Sequence, residues 1–148
     1  RPDMALFKFT KNILLGESID VYNKGNMMRD FTYISDLVKA IFLLSLKKPI
    51  LTKKQNATLK NDSISNVAPF RIVNIGNNKP VNLLTFINEL ENVIGKKAKK
   101  NFLDMQDGDI KKTHSNIRLL EALTGFQPNT DFRMGIRQFV NWYKSYYS

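Results

Sequence analysis

Five stretches of this 148-residue chain repeat apolar residues at helical spacing, and shorter extended runs lie between them. Met4, Phe7, Ile13 and Leu14, set among Lys and Asn, predict a helix over residues 3–15 that Gly16 stops. Residues 19–22 read as a strand, Asn23-Lys24-Gly25-Asn26 carries turn chemistry, and residues 28–33 are a second extended run. These two runs are expected to form a hairpin or two sides of a loop. Ser35 is the expected N-cap of a helix over residues 36–46, where Leu37, Val38, Ala40, Ile41, Phe42 and Leu44 leave little polar face. Such a helix is expected to be mostly buried.

Residues 48–68 show no apolar period and are rich in Lys, Asn and Ser, which predicts a long, mobile polar loop. Ile72, Val73 and Ile75 mark a short buried strand over residues 71–76. Asn82 is the expected cap of the clearest helix, in which Leu83, Phe86, Ile87, Leu90 and Ile94 share a face before Gly95 ends it. A strand over residues 101–105, a Gly-containing turn at 106–109 and a helix over 115–123 stopped by Gly125 follow. The last helix spans residues 131–147, with Phe132, Ile136, Phe139, Val140 and Tyr143 on one side. The alternation makes the fold class α/β, a small mixed domain of short strands and about five helices. The strands are too few and short for a complete doubly wound sheet, so the sheet is expected to continue into a partner outside residues 1–148.

Composition narrows the classes. A hydrophobic share of 43% with 10 Phe and 5 Tyr is enough for a real core. No stretch approaches the roughly 20 uncharged apolar residues of a membrane span. With no Cys there is neither a disulfide framework nor a thiolate metal site, and a cytoplasmic location is the default expectation. The start at Arg1 without Met suggests a piece of a longer protein. A formal charge of +10 raises nucleic-acid binding as a class, but the 23 Lys and Arg are spread along the chain with one short cluster, Lys96, Lys97, Lys99 and Lys100. That pattern reads as a solvated surface, so neither nucleic acid nor membrane is expected as a partner.

The seven glycines stand alone, so no Gly-x-Gly-x-x-Gly loop offers a dinucleotide a seat. His114 is the only histidine, which speaks against a metal site and a Ser-His-Asp triad; it reads as a surface or half-buried residue before a helix cap at Ser115. Other residues suit an anionic nucleotide. Arg29 sits where an extended segment turns into a helix, and a guanidinium there can fork onto a phosphate, although Asp30 and Asp36 are equally available partners. Tyr22 ends a strand and offers either a ring face to a base or an ordinary core side chain. Gln106-Asp107-Gly108-Asp109 is a tight turn whose carboxylates can accept from ribose hydroxyls.

Five motifs in order, Arg1-Pro2-Asp3-Met4-Ala5, Arg29-Asp30-Phe31-Thr32-Tyr33-Ile34-Ser35-Asp36, Asn74-Ile75-Gly76-Asn77, Met105-Gln106-Asp107-Gly108-Asp109 and Gly125-Phe126-Gln127-Pro128, resemble the C-terminal part of extended short-chain dehydrogenase/reductase nucleotide-sugar epimerases. The resemblance is nearest to the UDP-glucuronate 4-epimerases, which interconvert UDP-glucuronate and UDP-galacturonate. It implies that Arg1 reaches the sugar, that Tyr22 and the backbone around Val21 form the uracil platform, that Arg29 takes the pyrophosphate and that Asp109 holds the ribose. Gln106 stands where galactose epimerases have a second phosphate arginine, and Asp107 where the turn usually has proline. In such enzymes a Tyr-x-x-x-Lys pair removes the C4 hydroxyl proton while NAD takes the hydride. No Tyr here is followed by Lys four positions later. The resemblance therefore implies a UDP-sugar-binding part with no catalytic, cofactor-binding or metal-binding residue of its own. It also implies a separate N-terminal Rossmann domain that binds NAD, a homodimer when full length, and inactivity of this part alone without bound NAD. Two alternatives stand beside it: a dehydratase or decarboxylase of the same superfamily, and a non-enzymatic basic binding module.

Overall fold

The computed structural model describes residues 2–50 and 62–147. In chain order the elements are α1 (Ala5–Leu15), β1 (Ser18–Val21), a 3-10 turn (Tyr22–Gly25), β2 (Met28–Arg29), α2 (Ile34–Ser45) and β3 (Val81–Asn82). They continue with α3 (Leu83–Ile94), β4 (Lys99–Phe102), α4 (Arg118–Thr124) and α5 (Phe132–Tyr147). Among the described residues the fold is the expected mixed α/β arrangement, with five helices and short strands. It divides into two compact units, one built from residues up to 29, 80–113 and 131 onward, the other from 30–79 and 114–130.

In the first unit β1 runs parallel to β4, with Ser18 opposite Lys99 and Val21 opposite Phe102, while β2 pairs antiparallel with β3, Met28 opposite Asn82. Of the two arrangements expected for β1 and the next extended run, a hairpin or two sides of a loop, the hairpin does not form. Asn23 and Lys24 both take left-handed backbone angles, φ 49° and 50°, turning the chain away, and the edge of β1 is filled by β4 instead. The strand expected over 101–105 begins earlier, at Lys99. Helix α3 forms as its pattern requires: the Asn82 side chain accepts from the N–H groups of Leu84 and Thr85 at 2.8 and 3.4 Å, and Gly95 closes the helix at φ 81°. Its Phe86, Ile87, Leu90 and Ile94 are buried with Phe9, Ile13, Ile19, Val21, Ile136 and Val140. Each such apolar side chain contributes roughly 1.5–3 kcal/mol on burial.

In the second unit Ala40, Ile117 and Leu120 form a small core, against which Leu44, Val73, Ile75 and Phe126 pack. Helix α2 departs from expectation twice. Its N-cap is Tyr33, with no side-chain cap bond, so Ser35 lies inside the helix. It is also not mostly buried: Ala40 is buried, whereas Ile34, Val38, Ile41, Phe42 and Leu46 are exposed. An apolar pattern on every side of a helix means two apolar faces, and only one of them meets α4. Helix α4 starts at Arg118 rather than 115; ahead of it the Ser115 N–H donates to Asp30 and the Arg118 N–H to the Asn116 side chain. Residues 71–76 are extended with alternating exposure but form no ladder among the described residues, and Ile72 is 64% exposed. Of the polar loop at 48–68, residues 51–61 lie outside the described residues. After them, Arg71 makes a two-bond fork onto Asp62, each bond 2.8 Å.

Candidate nucleotide-binding site

The site is built on β2. Met28 is held on one side by β3 and on the other by residues 111–113, since the Met28 N–H donates to Lys111 O at 2.8 Å and the Thr113 N–H to Met28 O at 3.1 Å. Arg29 therefore projects from the middle of a short three-stranded arrangement. Its guanidinium donates through Nη1 to Met28 O at 3.0 Å and Ile110 O at 2.6 Å, and through Nη2 to Asp109 Oδ1 at 2.9 Å. A guanidinium has five N–H donors. The three bonds leave Nε–H and one Nη2 hydrogen uncommitted among the described residues. Asp109 Oδ1 also accepts from the Ile110 N–H at 2.7 Å, so the remaining acceptor capacity lies on Oδ2. The side chains of Arg29 and Asp109 are 30% and 31% exposed, held by protein yet open to a ligand.

The turn carrying Asp109 is closed by its N–H donating to the Gln106 carbonyl at 3.2 Å, with Gly108 at φ 79°. Gln106 thus contributes its backbone to the turn, and its side chain is exposed. Val21 is fully buried and its carbonyl accepts from the Leu103 N–H at 3.1 Å. Tyr22 opens the 3-10 turn and lines a cleft of about 260 Å³ with Asp3, Lys8, Asn12, Ser18 and Asp20. Arg1 lies outside the described residues. The structure therefore brings Arg29 and Asp109 into direct contact, and places Tyr22 at a cleft beside α1. His114 is exposed.

Sequence reasoning offered Asp30 and Asp36 as partners of Arg29, and both do something else. The Asp30 carboxylate accepts from the backbone N–H groups of Asn78, Lys79 and Ser115 at 3.1, 3.2 and 3.1 Å. A side chain at Gly76 would collide with Ser115 and press on this carboxylate. Asp36 accepts from the N–H groups of Asn129 and Thr130 at 3.1 and 2.9 Å. Both aspartates tie remote loops into the second unit. Their only signal in the sequence is their place around an extended-to-helix junction, where carboxylates commonly accept from backbone.

Residues 1–56 match the NAD dependent epimerase/dehydratase family. Protein CapI of Staphylococcus aureus is 49% identical over 147 residues, which are 99% of this chain and 44% of that protein. A probable UDP-glucuronate 4-epimerase of Rhizobium meliloti (strain 1021) is 46% identical over 147 residues, 99% of this chain and 43% of that protein. The chain is similar to the C-terminal part of epimerases of this family. Among solved structures, the UDP-glucuronic acid 4-epimerase of Bacillus cereus, in complex with UDP-glucuronic acid and NAD, superposes with a TM-score of 0.78 at 28% identity, over 98% of this chain and 41% of that one. The chain thus spans less than half the length of these proteins and matches their C-terminal part. The residues present do not fit the family's dinucleotide. Gly16, Gly95 and Gly125 cap helix C-termini, Gly25 packs on Leu84 and Gly76 on Ser115, so none of these sits at a strand-to-helix phosphate turn.

Proposed function

We propose that this chain is the nucleotide-sugar-binding part of an NAD-dependent epimerase that interconverts UDP-glucuronate and UDP-galacturonate at C4. The observation that carries the reading is the Arg29–Asp109 pair. Two uncommitted guanidinium hydrogens suit one phosphate oxyanion or two neighbouring ones, and the second Asp109 oxygen suits a ribose hydroxyl. A cation and a hydroxyl acceptor side by side complement the anion and the hydroxyls of a ribose joined to a diphosphate. Tyr22 supplies the aromatic face for the uracil, Val21 the backbone behind it, Gln106 the turn, and Arg1 the contact to the sugar. Relatives named for UDP-glucuronate support that choice of substrate.

On this reading an N-terminal cofactor domain binds NAD and supplies the proton-transferring side chains. Its surface covers the exposed apolar row of α2, Ile34, Val38, Ile41 and Phe42, and the complete enzyme acts as a cytoplasmic homodimer. The test is UDP affinity in the full-length enzyme. Arg29→Ala is expected to cost ~1.5–3 kcal/mol, the worth of a charge-assisted hydrogen bond, and Tyr22→Ala roughly 1–3 kcal/mol of base stacking. Lys99→Ala is expected to change little, because an exposed lysine contributes only a screened field. Equal, mild effects of Arg29→Ala and Lys99→Ala on UDP, together with tight and salt-sensitive oligonucleotide binding, would overturn the reading in favour of a basic binding module.

A further inference from the structure

We propose that Asp109 is a positioning residue for Arg29, so that diphosphate recognition depends on this carboxylate even when the ligand has no ribose. The inference rests on the reading that Arg29 takes the diphosphate. Arginine is long and loses much rotamer freedom when fixed, so a guanidinium that recognises an oxyanion from a two-residue strand needs acceptors that hold it in place beforehand. Three are present, and two of them, Ile110 O and Asp109 Oδ1, come from adjacent residues of one turn. The Asp109 carboxylate is itself locked, because the same Oδ1 that receives Arg29 also accepts from the Ile110 N–H, and its own N–H closes the turn onto Gln106. One oxygen of Asp109 thus serves Arg29, and the other is left for the ligand on this reading.

Simple electrostatics makes the opposite forecast, which gives the proposal its test. A carboxylate 2.9 Å from the arginine offsets part of the attraction that a phosphate feels. Were Asp109 only a ribose acceptor, its removal would leave affinity for inorganic pyrophosphate unchanged or raise it. Positioning requires that affinity to fall.

The experiment titrates the full-length enzyme with UDP and, separately, with inorganic pyrophosphate. The variants are Arg29→Ala, Asp109→Ala, Asp109→Asn, Asp109→Glu and Asp107→Ala. The last removes a carboxylate from the same turn and reports the pure charge effect. Asp109→Ala is expected to weaken pyrophosphate by about fivefold or more, the scale of coupling between contacting residues. Asp109→Asn keeps an acceptor for Arg29 and is expected to stay within about twofold on the same scale. Asp109→Glu retains the charge but displaces the oxygens by a methylene; it is expected to lose affinity as Asp109→Ala does, and it decides the matter should the alanine variant fail to fold. Pyrophosphate affinity that is unchanged or raised in Asp109→Ala, or unchanged in Asp109→Glu, overturns the proposal. If Arg29→Ala leaves both ligands unaffected, the nucleotide-site reading itself fails, and the two failures are told apart by that variant.

Discussion

Glu91 is 2% exposed, and a carboxylate at that depth persists only because its oxygens are occupied. Burial pushes its carboxyl upward, but the ammonium groups of Lys100 and Lys97 and the Ala98 N–H outweigh that and hold it at about 2, against an ordinary 4.5. Lys97 is 82% exposed, so its bond is screened, whereas Lys100 is 22% exposed and carries more of the effect. The folded state therefore resists a proton that the unfolded chain accepts. The resulting stabilisation, about 3 kcal/mol at most, is complete above pH 4.5 and lost as pH falls toward 2. Glu91→Gln is expected to flatten the urea-unfolding stability over that acid window while lowering it at neutral pH; a wild type and variant that lose stability in parallel on acidification would exclude this account. Part of this was legible, since Glu91 follows Leu90 and lies four residues after Ile87, on the buried face of α3. The roles of Asp30 and Asp36 were not, because their bonds reach backbone groups up to 94 residues away. Spacing carries no information about such partners.

Helix α2 shows where element-level reading succeeds and where it stops. The pattern gave the helix and its absence of a polar face, and α3 was legible down to its Asn82 cap and Gly95 stop, because caps and period are local. What covers each face is not local. Val38 and Phe42, one turn apart, are 56% and 62% exposed on the side away from α4's core contacts. Strand pairing was missed for the same reason: β1 takes its partner from across the chain, Ser18 against Lys99, and a two-residue strand such as β2 leaves no period to read. A bare apolar row of this kind favours self-association. Replacing Val38 and Phe42 together by Lys is expected to lower the concentration-dependent light scattering of this chain with its far-ultraviolet helix signal unchanged. In the full-length enzyme the same pair is expected to lower the unfolding transition, since burial of each side chain is worth roughly 1.5–3 kcal/mol. A wild-type chain that scatters as a monomer at every concentration, with no penalty in the longer enzyme, would show that nothing covers this face.

At the scale of the whole molecule, the formal charge of +10 is the property that most easily imitates function. Any polyanion is drawn to such a surface, and NAD, with its diphosphate, is no exception. Specific seating of a dinucleotide demands more: consecutive backbone N–H groups at a helix N-terminus, approached through glycines that leave room for phosphate. Five of the seven glycines here are spent differently, as helix stops at Gly16, Gly95 and Gly125 and as close-packing points at Gly25 and Gly76. The charge term and the seating term separate with salt, because the screening length falls from about 10 Å at 0.1 M to about 3 Å at 1 M. Calorimetric titration of this chain with NAD at both ionic strengths is therefore expected to give weak heats that vanish at the higher one. A coupled assay with UDP-glucuronate is expected to show no turnover at either, as no Tyr-x-x-x-Lys pair is present. Saturable micromolar NAD binding that survives 1 M salt would mean that these residues build a dinucleotide seat of another kind, and the division of labour between this chain and a separate cofactor domain would have to be abandoned.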